Sequence, residues 1–234
     1  MNPASIISKR TFRFELLLLV SVVILVFAIA MAVGIGEMRI PLRTVALSIS
    51  NHLGFSAVNI SQIQDSVIWN LRLSRSLVAA LCGAGLAMCG AILQSLLRNP
   101  LAEPYVLGVS AGASTGAVAI VIMGVGAGTV SLSMGAFAGA MAAFIFVAVL
   151  SNSGRGGPDR TILAGVAAAQ LFNALTAYIV TTSGNAQQAR DVMFWLLGSF
   201  GGVRWPEFQL LIVIIIIGLA ICIWHAQALD AFTF

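Results

Sequence analysis

From Pro104 to Gly154 the chain carries no formal charge. A run of about 50 uncharged, mostly apolar residues cannot form the outside of a water-soluble domain, where about a quarter of residues are charged. The whole sequence follows this bias: 59% of residues are hydrophobic, 9% are charged, and the mean hydropathy is +1.02. One bilayer crossing takes about 20 apolar residues, so the uncharged run holds two helices. The clustered glycines of Gly124-Val-Gly-Ala-Gly-Thr129 place the turn between them. The expected fold is an all-α, polytopic membrane helix bundle.

The same reasoning divides 1–234, read as one transmembrane domain, into six spans. They are expected at about 14–35, 76–97, 105–123, 130–150, 161–181 and 207–226. Lys9, Arg10 and Arg13 precede the first apolar run as in a signal peptide, but the run has full spanning length and no small-residue cleavage pattern follows, so it reads as a retained span. Between Ser183 and Trp205, the polar residues Gln187, Gln188, Arg190 and Asp191 oppose Ala189, Val192, Met193 and Leu196. That spacing predicts a short interfacial helix at about 185–197, ended by Gly198. Cations divide evenly between the two sides. The cluster next to the first span places the N-terminus in the cytoplasm, with the 37–75 loop and the interfacial helix outside.

Small and polar residues mark the inner faces. Gly108, Gly112 and Gly116 recur every fourth residue, as do Gly135 and Gly139, a spacing that lets membrane helices approach closely. On the fifth span, Gln170, Asn173, Thr176 and Thr181 form one broad stripe. Such residues are costly unless they face protein or water. The stripe is either interhelical hydrogen bonding or the wall of a pathway.

Other chemistries find little footing. Cys82, Cys89 and Cys222 lie in apolar runs without metal-ligand or redox spacing, and Cys82 and Cys89 read as small packing residues. His52 reads as a solvated loop residue and His225 as an interfacial one, neither with a partner at ligand spacing. No cofactor or metal is expected. The scattered cations do not indicate nucleic-acid binding. Gly108-Val-Ser110-Ala-Gly112 matches the G-x-S-x-G string, which with His225 and Asp230 makes an intramembrane serine hydrolase conceivable. The string sits in an apolar helix rather than on a strand-turn-helix, and its glycines continue to Gly116, so close packing explains it better.

Several strings in fixed order resemble the permease subunits of ABC importers for iron-siderophores, haem and vitamin B12. That family shows R-L-P-R, G-A-x-L-A-x-x-G-A-x-x-Q, N-P-L-A-x-P, L-G-x-S-x-G-A, L-A-G-V-A and W-x-x-G-x-F-G-G-x-x-W. This chain reads Arg72-Leu-Ser-Arg75, Gly83-Ala-Gly-Leu-Ala-Met-Cys-Gly-Ala-Ile-Leu-Gln94, Asn99-Pro-Leu-Ala-Glu-Pro104 and Leu107-Gly-Val-Ser-Ala-Gly-Ala113. It continues with Leu163-Ala-Gly-Val-Ala167 and Trp195-Leu-Leu-Gly-Ser-Phe-Gly-Gly-Val-Arg-Trp205.

The resemblance implies the transmembrane subunit of an importer of iron-siderophore complexes, with haem and cobalamin as neighbouring cargoes. It would sit in a bacterial plasma (inner) membrane. Its implied partners are an ATP-binding subunit, a periplasmic substrate-binding protein, a second permease subunit as homodimer or heterodimer, and the lipid bilayer. ATP hydrolysis would belong to the separate subunit, since no Gly-x-x-x-x-Gly-Lys-Ser/Thr loop is present. By the same resemblance Arg72 and Arg75 dock acidic residues of the binding protein. Asn99 and Leu101 contribute to a cytoplasmic gate, with a second gate element at Pro158 and Asp159. The fifth span lines the path at the dimer axis.

Two departures from the family pattern stand out. Ser74 replaces the proline of R-L-P-R, which is expected to loosen the helix start. Pro158 and Asp159 replace small hydroxyl residues, and Asp159 is a candidate helix cap. Family members have about ten spans, and the helix that engages the ATPase follows the sixth. The resemblance therefore covers the N-terminal two-thirds of a permease, and these 234 residues by themselves are expected to insert without driving import.

Overall fold

The computed structural model describes residues 3–124, 131–152, 157–182 and 185–233, and every regular element among them is helical. The helices are α1 (Pro3–Gly34), α2 (Leu42–His52), α3 (Gln62–Ser66), α4 (Ser74–Leu97) and α5 (Val109–Met123). They continue with α6 (Leu132–Asn152), α7 (Pro158–Thr182), α8 (Ala186–Leu196), α9 (Trp205–Trp224) and α10 (Ala226–Thr233). Val67–Leu73 is a π-helical turn and Pro104–Leu107 a 3-10 turn.

Five stretches are long and apolar enough to cross a membrane: Arg13–Gly34, Gln62–Leu97, Leu132–Asn152, Asp159–Thr182 and Trp205–Trp224. The helix expected over 105–123 is shorter. Pro104 opens a 3-10 turn, Gly108 turns left-handed at φ +66°, and α5 keeps 15 residues. That is about 22 Å of helix against a hydrocarbon core of about 30 Å. The second span also starts differently. Helix runs unbroken from Gln62 through the π turn into α4, so Ser74 stands inside a helix and loosens no helix start. Its buried hydroxyl donates to the Asn70 carbonyl at 2.8 Å. The glycine turn expected at 124–129 lies outside the described residues apart from Gly124, whose φ of +63° ends α5.

The chain divides into two compact units, Met1–Ala84 with Phe200–Ile217 and Gly85–Ser199 with Gly218–Phe234. In the first, α1 is exposed from Arg13 to Ala28 and becomes buried only near its end. There Val33 joins Ile40, Val45, Ile68 and Leu73 in an apolar cluster. Val45 and Ser48 form the buried edge of α2. His52 is not a loop residue: it ends α2, its ring stacks on Trp69 with centroids 4.1 Å apart, and its Nε2 lies 3.0 Å from Asp65 Oδ2. Asp65 also accepts from Ser48 Oγ, so one carboxylate holds α2 to α3 at two points. The pairing is tertiary, between residues 13 apart, and sequence spacing gives no sign of it.

The second unit is organised by α5, α6 and α7. A Cβ added to Gly112 or Gly116 would strike the backbone carbonyls of Gly139 and Gly135, and one added to Gly139 would strike that of Gly112. These glycines therefore let α5 and α6 meet backbone to backbone. Across α5 and α7, Thr115 Oγ1 donates to the Phe172 carbonyl at 2.7 Å and lies 2.9 Å from Thr176 Oγ1. Phe146 and Phe172 meet edge to face, beside a cluster of Val147, Ala164 and Ala168. The 3-10 turn closes onto α7: a Cβ on Gly165 would strike the Val106 carbonyl, and one on Gly108 would lie 2.9 Å from the Ala169 nitrogen.

Candidate functional site

The arginine pair lies around the junction of the π turn and α4. An α-helix leaves its last four carbonyls without intrahelical donors. Arg72 fills that need for α1, where Nη1 donates to the carbonyls of Val33 at 2.9 Å and Gly34 at 3.3 Å, and its Nη2 holds the loop that follows by donating to the Met38 carbonyl at 2.6 Å. Gly36 lies so close that an added Cβ would be 2.6 Å from Nη2. Arg75 Nη2 donates to the Gly201 carbonyl at 2.7 Å, while its buried Nε has no partner. Both guanidinium groups are half-buried and tied to backbone, a structural commitment that spacing alone did not reveal.

Past the other end of α4, Asn99 folds the chain back. Its side-chain oxygen accepts from the Leu101 N–H at 2.9 Å, and its carbonyl accepts from Ala102 N–H at 3.0 Å. Ala102 is buried and Leu101 is 85% exposed, so the turn presents Leu101 outward from an ordered base. Pro158 opens α7, and Asp159 stands second in that helix. Asp159 is therefore inside the first turn rather than at the preceding cap position, where it still complements the helix dipole.

The α7 stripe separates into two parts. Ala164, Ala168 and Thr176 are buried, and Thr176 is engaged with Thr115. At 100° per residue these positions share a face with Phe172. Gln170, Asn173 and Thr181 point away from it and are exposed, among the exposed alanines Ala167, Ala174 and Ala177, with the exposed Leu163 and Val166 on the same face one to two turns earlier. Thr181 satisfies itself on the carbonyls of Ala177 and Tyr178. The amides of Gln170 and Asn173 have no partner among the described residues. Of the four polar positions, one is thus an interhelical bond and two are open amides on a membrane-length helix. Thr115, the partner of Thr176, was not singled out by the sequence reading, although it is a hydroxyl residue inside an apolar helix.

Ser110 lies at the second position of α5 with its hydroxyl 3.3 Å from that of Tyr105. No histidine or carboxylate approaches it among the described bonds, and His225 is an exposed residue between α9 and α10. Among the described residues no base of the kind a serine nucleophile requires stands beside Ser110.

Residues 23–234 match the FecCD transport family over nearly the whole chain. The chain belongs to the FecCD transport family. Among its relatives, the cobalamin import system permease protein BtuC of Halobacterium salinarum is 32% identical over 191 residues, covering 82% of this chain and 50% of that protein. The vitamin B12 import system permease protein BtuC of Citrobacter koseri is 39% identical over 158 residues, covering 66% of this chain and 47% of that protein. The chain thus spans about half the length of the curated relatives it matches. A transporter described as of the metal-chelate ABC type, solved in an inward-facing conformation, superposes with a TM-score of 0.75 at 25% identity. That alignment covers 94% of this chain and 65% of the solved one.

Proposed function

We propose that this chain forms the membrane-spanning part of a permease subunit in an ABC importer that carries a metal-chelate compound inward across a bacterial inner membrane. The observation that carries this reading is the outer face of α7. A polar amide facing hydrocarbon costs several kcal/mol, so Gln170 and Asn173 face water or further protein, whether the remainder of a full-length permease or a second subunit. Small neighbours at Ala167, Ala174 and Ala177 leave room there for a bulky cargo or a close second subunit. This face is the pathway wall at the permease dimer axis. Membership of the FecCD family supports the importer class.

The remaining parts follow from that arrangement. A separate ATP-binding subunit hydrolyses ATP, and a periplasmic binding protein delivers the cargo. Arg72 and Arg75 keep free N–H groups beyond their backbone bonds and dock acidic residues of that protein. Asn99 with Leu101, and Pro158 with Asp159, form the cytoplasmic gate. The N-terminus is cytoplasmic, and α5 completes a six-span arrangement despite its length. Iron-siderophore, haem and cobalamin share the chelate class, and the names of the relatives make cobalamin the first cargo to test beside a ferric siderophore.

The test is ATP-driven uptake of radiolabelled cobalamin, haem and ferric siderophore into proteoliposomes holding the permease, its ATP-binding subunit and its binding protein. Gln170→Leu with Asn173→Leu should reduce uptake of the true cargo while leaving complex assembly intact. Undiminished uptake by that double variant would remove α7 from the pathway.

A further inference from the structure

Arg98 is the one non-glycine residue with positive φ among the described residues, at +49°. It stands just past the end of α4. Its N–H donates to the Ser95 carbonyl at 3.3 Å, and the Asn99 N–H donates to that of Gln94 at 3.1 Å. This bond pair is a Schellman ending, whose left-handed position is normally glycine because a Cβ is strained there. The side chain makes no hydrogen bond or ion pair in exchange: the guanidinium is exposed, has no partner among the described residues, and meets the rest of the protein only through the weak pull of the α4 C-terminal dipole.

What surrounds Arg98 suggests why a strained cation is kept. With Ala91, Gln94, Ser95, Asn99 and Pro100 it lines a groove of about 440 Å³. The groove starts at Ala91, inside the apolar part of α4, and ends at Pro100, beyond the helix. Between Ala91 and Leu97 the helix rises about 9 Å, while the headgroup layer on each side of a bilayer is about 5–8 Å deep. No carboxylate lines the groove, and the exposed Gln94 amide adds a second open donor. We propose that this groove holds the phosphate of an anionic membrane phospholipid, with Arg98 as the charged donor and Gln94 as the second. A phospholipid fits better than a soluble anion because one wall of the groove is membrane-embedded helix.

Thermal unfolding of the purified chain in neutral detergent, with added phosphatidylglycerol, phosphatidylcholine or inorganic phosphate, tests this. Phosphatidylglycerol should raise the wild-type midpoint more than phosphatidylcholine, and phosphate should not. Arg98→Gly should unfold about 2–4 °C higher without lipid, because the strain is relieved, yet bind phosphatidylglycerol about tenfold more weakly. Arg98→Lys should keep most of the lipid response and none of the gain in midpoint. An undiminished phosphatidylglycerol response in Arg98→Gly would overturn the proposal. So would an equal response to inorganic phosphate. Unchanged lipid binding combined with weaker association of the ATP-binding subunit would assign Arg98 to a protein surface instead.

Discussion

Replacing Gly139 by alanine tests the packing argument most directly. The new methyl would sit against the Gly112 carbonyl, with the Gly116 nitrogen 2.8 Å and Gly116 Cα 2.9 Å away. All three obstacles are backbone of a neighbouring helix, so no side-chain rotation relieves them. An ordinary carbon contact needs about 3.5–4.0 Å, and α5 and α6 must part by about 1 Å. Overpacking of this kind costs about 1–3 kcal/mol. Gly90 provides the control. It is interior to α4 with nothing within 4 Å of an added Cβ, and alanine there should gain up to about 1 kcal/mol from helix propensity. The same chemical change should therefore have opposite signs at two helical glycines. Thermal unfolding in a mild detergent reads the difference, with about 2–4 °C for each kcal/mol in a chain of this size. If Gly139→Ala unfolds at or above the temperature of Gly90→Ala, the backbone-to-backbone contact of α5 and α6 is wrong.

Three further outcomes are expected. Arg72→Ala should lose about 2–3 kcal/mol by stranding the carbonyls at the end of α1, and Arg72→Lys should recover only part of it; unfolding equilibria of the three forms decide. Loss of both Arg72 and Arg75 charges in a complete permease should slow association with the binding protein, with Arg→Glu worse than Arg→Ala because it adds repulsion; wild-type association rates at low salt would remove the docking role. With Cys82, Cys89 and Cys222 replaced, cysteines at Asn59 and Gln187 should be labelled from the periplasmic side and one at Gly157 from the cytoplasmic side, and labelling of all three from one side would refute the six-span arrangement.

The helical fold could be read from the sequence because membrane crossing imposes a length and an apolarity that single residues cannot disguise. The amphipathic pattern around Val192 likewise corresponds to α8, where Asn185 caps the helix by accepting from the N–H groups of Gln187 and Gln188. What the sequence hid was set by contacts between distant residues. Ser74 in place of proline looked like a weak helix start, but a π turn carries the helix across that point. Thr176 looked equivalent to Gln170 and Asn173, although Thr115, from another helix, pairs with it alone. His52 found its carboxylate only once α2 and α3 were brought together. The glycine spacing indicated close approach, but which carbonyls face which glycines depends on the register of α5 against α6, and no one-dimensional pattern encodes that register.

The clamp at Arg72 also bears on the order in which this chain can be built. The carbonyls it satisfies belong to Val33, Gly34 and Met38, which precede it by 39, 38 and 34 residues. During synthesis α1 leaves the ribosome ahead of the segment that carries Arg72, by the same 34 to 39 residues. Its last turn must therefore wait with open acceptors at the membrane surface, where water can serve them for a time. When the second apolar segment arrives, its guanidinium displaces that water and fixes the first segment in place. Insertion of the second helix is thus also the step that completes the first, and a ribosome stalled between these two points should leave α1 in the bilayer with a frayed end.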